Sequence, residues 1–394
     1  MWTRRGFLGL GALCATSLCF AGQTSPEKRR RLVVLQLTGG NDGLNTLVPY
    51  ADERYAKLRP RLALRANEVL RLDSEQGLHP ALRELRKAYD AGLVALVNGV
   101  GHAASNLSHF RSQAIWDAAS DAGASSPDGW LGRHYELTLR GDALVDSPIT
   151  LLALGRDTLP LALKSPHGTW PAIPELPHWR APALGLDPGA GAGIVEGTPA
   201  SEVRTCLRSA EQASALFARA SSRKPVVEYP DHPFARSLKS VADVIAAELP
   251  TSCFYLTLDG FDTHTRQRTE QERQLATLDS ALGAFVADLR ALERLDEVLV
   301  LGFSEFGRRL KESGIGPDAG TDHGTAGLAF LLGGRVRGGL HGKQPNLDEL
   351  DADGNLKATI DYRRLYASVI GPWLGGDHER VLAGSYEPLE LVRS

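Results

Sequence analysis

The chain has 394 residues, 43% of them hydrophobic and 23% charged, with a mean hydropathy of −0.18. That composition is too apolar for a disordered chain and too mixed for an integral membrane protein. A formal charge of −3 gives no electrostatic basis for nucleic acid as the partner.

The chain opens Met1-Trp2-Thr3-Arg4-Arg5-Gly6-Phe7-Leu8 and continues apolar to Phe20. A charged start, a short apolar segment and small residues at Cys19 and Ala21 form a signal peptide over residues 1–21. Its paired arginines match the twin-arginine pattern, whose machinery exports folded cargo. The expected product is therefore periplasmic or secreted and not membrane-integral. Cleavage after Ala21 removes Arg4 and Arg5 and leaves 42 basic against 47 acidic residues, a charge of −5. It also leaves only Cys206 and Cys253, too few for a disulfide framework or a cysteine zinc site. Residues 22–31, ending in Lys28-Arg29-Arg30-Arg31, read as a basic tether, and 32–394 as one domain.

Leu32 to Leu37 is a near-continuous apolar run, the pattern of a strand buried on both faces. It stops at the turn formers Thr38 to Gly43. A helix is expected between His79 and Gly92, a strand over Leu93 to Val97, and a helix from Ser108 to Ala119. Residues 121–250 carry Pro, Gly and Ala clusters such as Pro182 to Gly197 and read as an insertion or lid, with helices near 200–220 and 232–248. Strands follow at Cys253 to Leu258, Glu297 to Phe303 and Leu328 to Leu332. Between the first two, Leu275, Leu278, Leu282, Phe285, Leu289 and Leu292 mark the strongest helix. Strands alternating with helices predict an α/β three-layer sandwich, a mostly parallel central sheet with helices on both faces.

Polar clusters collect where these strands end, the edge at which open α/β sheets bind ligands. Asp42 follows the first strand, Ser105 to His109 the second, Asp262 and His264 the third, and Glu305 the fourth. Asp322 and His323 lie in a glycine-flanked loop entering a fifth. Carboxylates with imidazoles suit zinc first, with manganese as an alternative; carboxylate-only sets favour magnesium or calcium. Each residue also has a plain structural reading: Asp42 as a turn former, Ser108 as a helix cap, and Arg111, Arg308 and Arg309 as salt-bridge partners. Ser108 at a helix N-terminus sits where backbone amides favour an anion. His79, His102, His109 and His341 are secondary candidates.

Five segments resemble the domain of unknown function 1501 family: Gly39 to Asn45, Ser108 to Ser112, Gly260 to His264, Ser304 to Arg308 and Gly320 to Thr325. These exported bacterial proteins are related to the alkaline phosphatase and sulfatase superfamily. The resemblance implies that superfamily's fold, with metals at the strand ends. It implies metal ligation by Asp42, Asp262, His264, Glu305, Asp322 and His323. It makes Ser108 the nucleophile, with Ser105 second, and leaves Arg111 and Arg308 to hold the substrate. Glu305 stands where relatives carry an Asp, and the His paired with that Asp is missing. The expected function is metal-dependent hydrolysis of a small anionic phosphate or sulfate ester. The alternative is a catalytically silent metal- or partner-binding protein on the same fold.

Overall fold

The computed structural model describes residues 29–102, 106–121, 126–139, 149–168, 170–179, 210, 211 and 213–393. The signal segment, most of the tether, Ser105, Cys206 and Pro182 to Gly197 lie outside the described residues.

Eleven strands matter to the site. They are β1 (Arg31–Leu37), β2 (Val94–Gly101), β3 (Leu151–Leu154), β4 (Ala172–Ile173), β5 (Cys253–Leu258), β6 (Val298–Phe303), β7 (Gly307–Ser313), β8 (Gly320–Gly324), β9 (Gly327–Leu332), β10 (Gly339–His341) and β11 (Ile360–Asp361). The helices that cover or support them are α1 (Gly43–Thr46), α2 (Arg83–Asp90), α3 (His109–Ala118), α4 (Trp130–Thr138), α5 (Pro233–Ala246), α6 (Gln267–Ala291) and α7 (Tyr362–Ile370). Nine strands form the central sheet in the order β10-β2-β9-β6-β1-β5-β3-β4, with β11 pairing β2 beside β10. Only β9 runs antiparallel to its neighbours, β2 and β6; the other pairings are parallel.

Alternation along β1 explains the three layers. Val33, Leu35 and Leu37 enter one apolar core, while Leu32 and Val34 enter the other, so the strand has no solvent face. The first core is closed by α2, α5 and α6; Leu275, Leu278, Leu282, Phe285 and Leu289 of α6 all point into it. The second is closed by α3, α4 and α7, where Trp116 stacks on Phe303 at 5.0 Å and on Tyr362 at 4.5 Å. Cys253 is a free thiol at the start of β5, and burial pushes its pKa up.

The strands expected from apolar runs appear with shifts of a few residues at most, apart from the longer β2. The stretch 121–250 does more than stand beside the sheet. Its β3 pairs with β5, β4 extends that edge, and α5 covers one face. Between Phe303 and Gly327 the chain differs from the expected loops. Gly307 to Gly324 forms the antiparallel hairpin β7–β8, pairing Arg308 with His323. Leu310 is the only large apolar side chain in β7, so the run carried no hydrophobic alternation to announce it.

Candidate metal centre

Parallel register brings the carboxyl ends of three strands level, because β1 pairs Leu37 with Leu258 of β5 and Gln36 with Phe303 of β6. The loops that follow, 38–42, 259–266 and 304–306, therefore rise from one edge. The β7–β8 hairpin folds back over them, and α3 begins alongside. Among the described residues, His109, Asp262 and His323 each offer a ligand atom there, all within 4.8 Å of one another.

The imidazoles are aimed by their far nitrogens. His323 Nδ1 lies 2.8 Å from the Leu107 carbonyl oxygen, which can only accept, so this nitrogen carries the proton. His109 Nδ1 lies 2.9 Å from Oε1 of the fully buried Glu305. His264 Nδ1 stands 3.4 Å from Asp322 Oδ1. In their neutral forms His109 and His323 then turn an Nε2 lone pair towards Asp262. His323 Nε2 is 3.0 Å and His264 Nε2 3.1 Å from Asp262 Oδ1; His109 Nε2 is 3.4 Å from Oδ2. His264 and His323 also place their Nε2 atoms 3.0 Å apart. Lone pairs facing lone pairs at such distances repel unless a cation lies among them. Four ligands at zinc distances of about 2.0–2.1 Å in a tetrahedron stand about 3.3 Å from each other. The contacts of His264 and His323 with Asp262 Oδ1, of His109 with its Oδ2, and of His264 with His323, at 3.0–3.4 Å, are near that separation, and the Glu305 carboxylate behind His109 reproduces the carboxylate–histidine arrangement that orients metal-binding imidazoles. The residues fit a divalent metal ion.

The electrostatics differ between the two rings. His109 is pushed up in pKa, chiefly by its hydrogen bond to Glu305 and against partial burial. His323 is pushed down, chiefly by burial, with Arg308 adding to the effect and the Asp262 contact opposing it. Burial by itself would raise the Asp262 carboxyl, but His323 and Arg308 hold it well below the usual carboxylate range. Asp262 is thus an anion throughout the physiological range.

The other site residues are placed as follows. Asp42 is buried and caps α1 through Leu44 N–H; its second oxygen accepts from Arg59 and Gln267. Glu305 accepts from Gly39 N–H at 2.8 Å as well as His109, behind the imidazole and away from the converging Nε2 atoms. Asp322 is exposed and stands 3.4 Å from His264 Nδ1. Ser108 precedes α3, exposed, without a side-chain capping bond, and sits between two residues tied to the cluster, Leu107 and His109. Arg111 is half-buried in the first turn of that helix. Arg308 is fully buried, its guanidinium turned inward onto backbone carbonyls and Asp262. His109, a secondary candidate in the sequence, holds a central place. Its position directly after Ser108, at the start of the helix that follows a strand, was the available signal.

Residues 210–385 match the model of the family described as "Protein of unknown function (DUF1501)". The match bears out the resemblance carried by the segments at 260–264, 304–308 and 320–325; the segments at 39–45 and 108–112 precede it. No curated protein matches the chain. Among solved structures, the PsFucS1 sulfatase from Pseudoalteromonas sp. is similar at 12% identity, covering 92% of this chain and 71% of that one, with a TM-score of 0.43. The phosphonate monoester hydrolase SpPMH from Silicibacter pomeroyi is similar at 11% identity, with coverage of 92% and 76% and a TM-score of 0.37. The C-terminal periplasmic domain of EcEptC from Escherichia coli, in a complex with Zn, gives 12% identity, coverage of 79% and 74%, and a TM-score of 0.33. Among the described residues, no helix is long and apolar enough to cross a membrane.

Proposed function

We propose that this chain is an exported metal-dependent hydrolase of phosphate or sulfate esters, working in the periplasm or outside the cell after twin-arginine export. The observation that carries the reading is the convergence of His109, His264 and His323 on Asp262, with the imidazoles of His109 and His323 each backed by an acceptor on the other nitrogen. Asp262, His109 and His323 would hold the ion, with His264 as the fourth ligand and Glu305 and Asp322 as outer carboxylates. A divalent ion bound there supplies Lewis acidity to an anionic ester oxygen and offsets charge on the leaving group.

The chain's own residues do the rest. Ser108 Oγ, exposed at the N-terminus of α3, attacks phosphorus or sulfur as the ester oxygen departs, and water then releases the acid from Ser108. The first amides of α3 favour the negative charge developing beside them. Arg111, in the same turn, is the residue left to hold the substrate, since Arg308 faces inward.

That inward turn of Arg308 favours a second reading, an ion-binding protein without turnover. Ser108→Ala separates the two. Loaded with zinc and offered aryl phosphate and aryl sulfate, the parent is expected to cleave one of them. Ser108→Ala should lose about a thousandfold or more in kcat while binding the same amount of zinc. No cleavage by the parent, or an unchanged rate in the variant, contradicts the hydrolase mechanism.

A further inference from the structure

The loops around the centre hold a second cation, and it is a side chain. Arg308 donates through Nε to the Gly40 carbonyl at 2.8 Å, through Nη1 to Thr321 O at 2.7 Å, and through Nη2 to Phe261 O at 2.9 Å, Asp262 Oδ1 at 2.8 Å and Gly39 O. Four backbone carbonyls and a carboxylate from three separate segments thus surround one guanidinium. Gly39 and Gly40 make this possible, with φ of +112° and +79°. A Cβ on Gly39 would lie 2.3 Å from the Asp262 amide nitrogen, and one on Gly40 2.4 Å from the Phe306 ring. Only bare backbone turns both carbonyls onto Arg308 at that spacing. Oxygens gathered in this way are what a hard metal ion would require, and here they are occupied by the protein itself.

The remaining buried carboxylates are committed too. Asp42 is matched by the fully buried Arg59, and Leu44 N–H takes its other oxygen. Glu305 accepts from Gly39 N–H, His109 Nδ1 and Ser304 Oγ. A second ion beside Asp262 would find its Oδ1 already bound to the Arg308 guanidinium.

We propose that the centre takes one divalent ion, not two, and that Arg308 is a built-in second positive charge held against Asp262. The proposal rests on the reading of the His–Asp cluster as a metal centre. Its test is a count. The full chain, stripped with a chelator and saturated with Zn²⁺, is freed of excess metal, assayed by elemental analysis, and crystallised for anomalous diffraction at the zinc edge. One zinc per chain, between Asp262 and the imidazoles, is the expected result. Two zinc ions per chain, the second on Asp42 or Glu305, overturn the proposal and leave the metal centre standing. No bound zinc overturns both.

Discussion

Glu305 shows how a single buried carboxylate organises the centre without facing it. With Oε1 between Gly39 N–H and His109 Nδ1, it fixes which imidazole nitrogen carries the proton and increases the donor strength of the other. Glu305→Gln keeps the shape and removes the charge, so zinc should bind about 10- to 100-fold more weakly, measured by competition with a chromophoric chelator. Unchanged affinity would show that the carboxylate does not tune His109. A second buried acid behaves differently. Asp117, on α3, lies 3.0 Å from the Tyr255 hydroxyl, and burial pushes its carboxyl up to about 6 despite that hydrogen bond. Its folded pKa exceeds the unfolded value, so the protonated form is favoured in the fold. The penalty is absent at low pH and fully present above pH 6, at about 3 kcal/mol. Asp117→Asn should therefore raise stability at pH 8 by about 2–3 kcal/mol in urea unfolding and change little at pH 4. Equal stability at both pH values would contradict this.

At the scale of elements, the turn after β1 and the β7–β8 hairpin form one unit through Arg308. Gly40→Ala adds a Cβ where φ is +79° and the Phe306 ring stands in the way. The expected cost is roughly 1–3 kcal/mol of stability. Zinc affinity should weaken with it, because Phe306 packs on both His109 and His323 at 5.0 and 4.4 Å. A variant as stable as the parent would show that the turn relaxes freely. The elements most legible in the sequence are those with a one-sided or fully apolar pattern, β1, β5, β6 and α6, since burial alone explains their composition. Asp262, His264, Glu305, Asp322 and His323 were legible as a group because strand ends share an edge in such a sheet. The partners of Asp42 were not, since Arg59 and Gln267 reach it from distant segments and no local spacing encodes them. The inward role of Arg308 was hidden for the same reason: the carbonyls that hold it have no signature in residue type.

Across the whole molecule, two apolar cores on either side of the sheet set the stability, and two histidines buried beside them make it sensitive to acid. His79 and His134 are both pushed down to about 4 by burial, and His79 Nδ1 accepts from Ala81 N–H, a bond that protonation breaks. With folded values below the ordinary 6.5, their contribution is present above pH 6.5 and lost as pH falls towards 4. Set against the smaller gain from protonating Asp117, the net loss between pH 7 and pH 5 should be about 2 kcal/mol, read from urea midpoints. A flat profile would contradict the buried neutral state of these rings. The account as a whole turns on the three imidazoles meeting Asp262 around an ion. X-ray absorption at the zinc edge of the zinc-loaded chain tests that most directly. It should show four nitrogen or oxygen ligands at about 2.0–2.1 Å, with the outer-shell scattering of two or three imidazoles. A six-oxygen shell with no imidazole signal would contradict it.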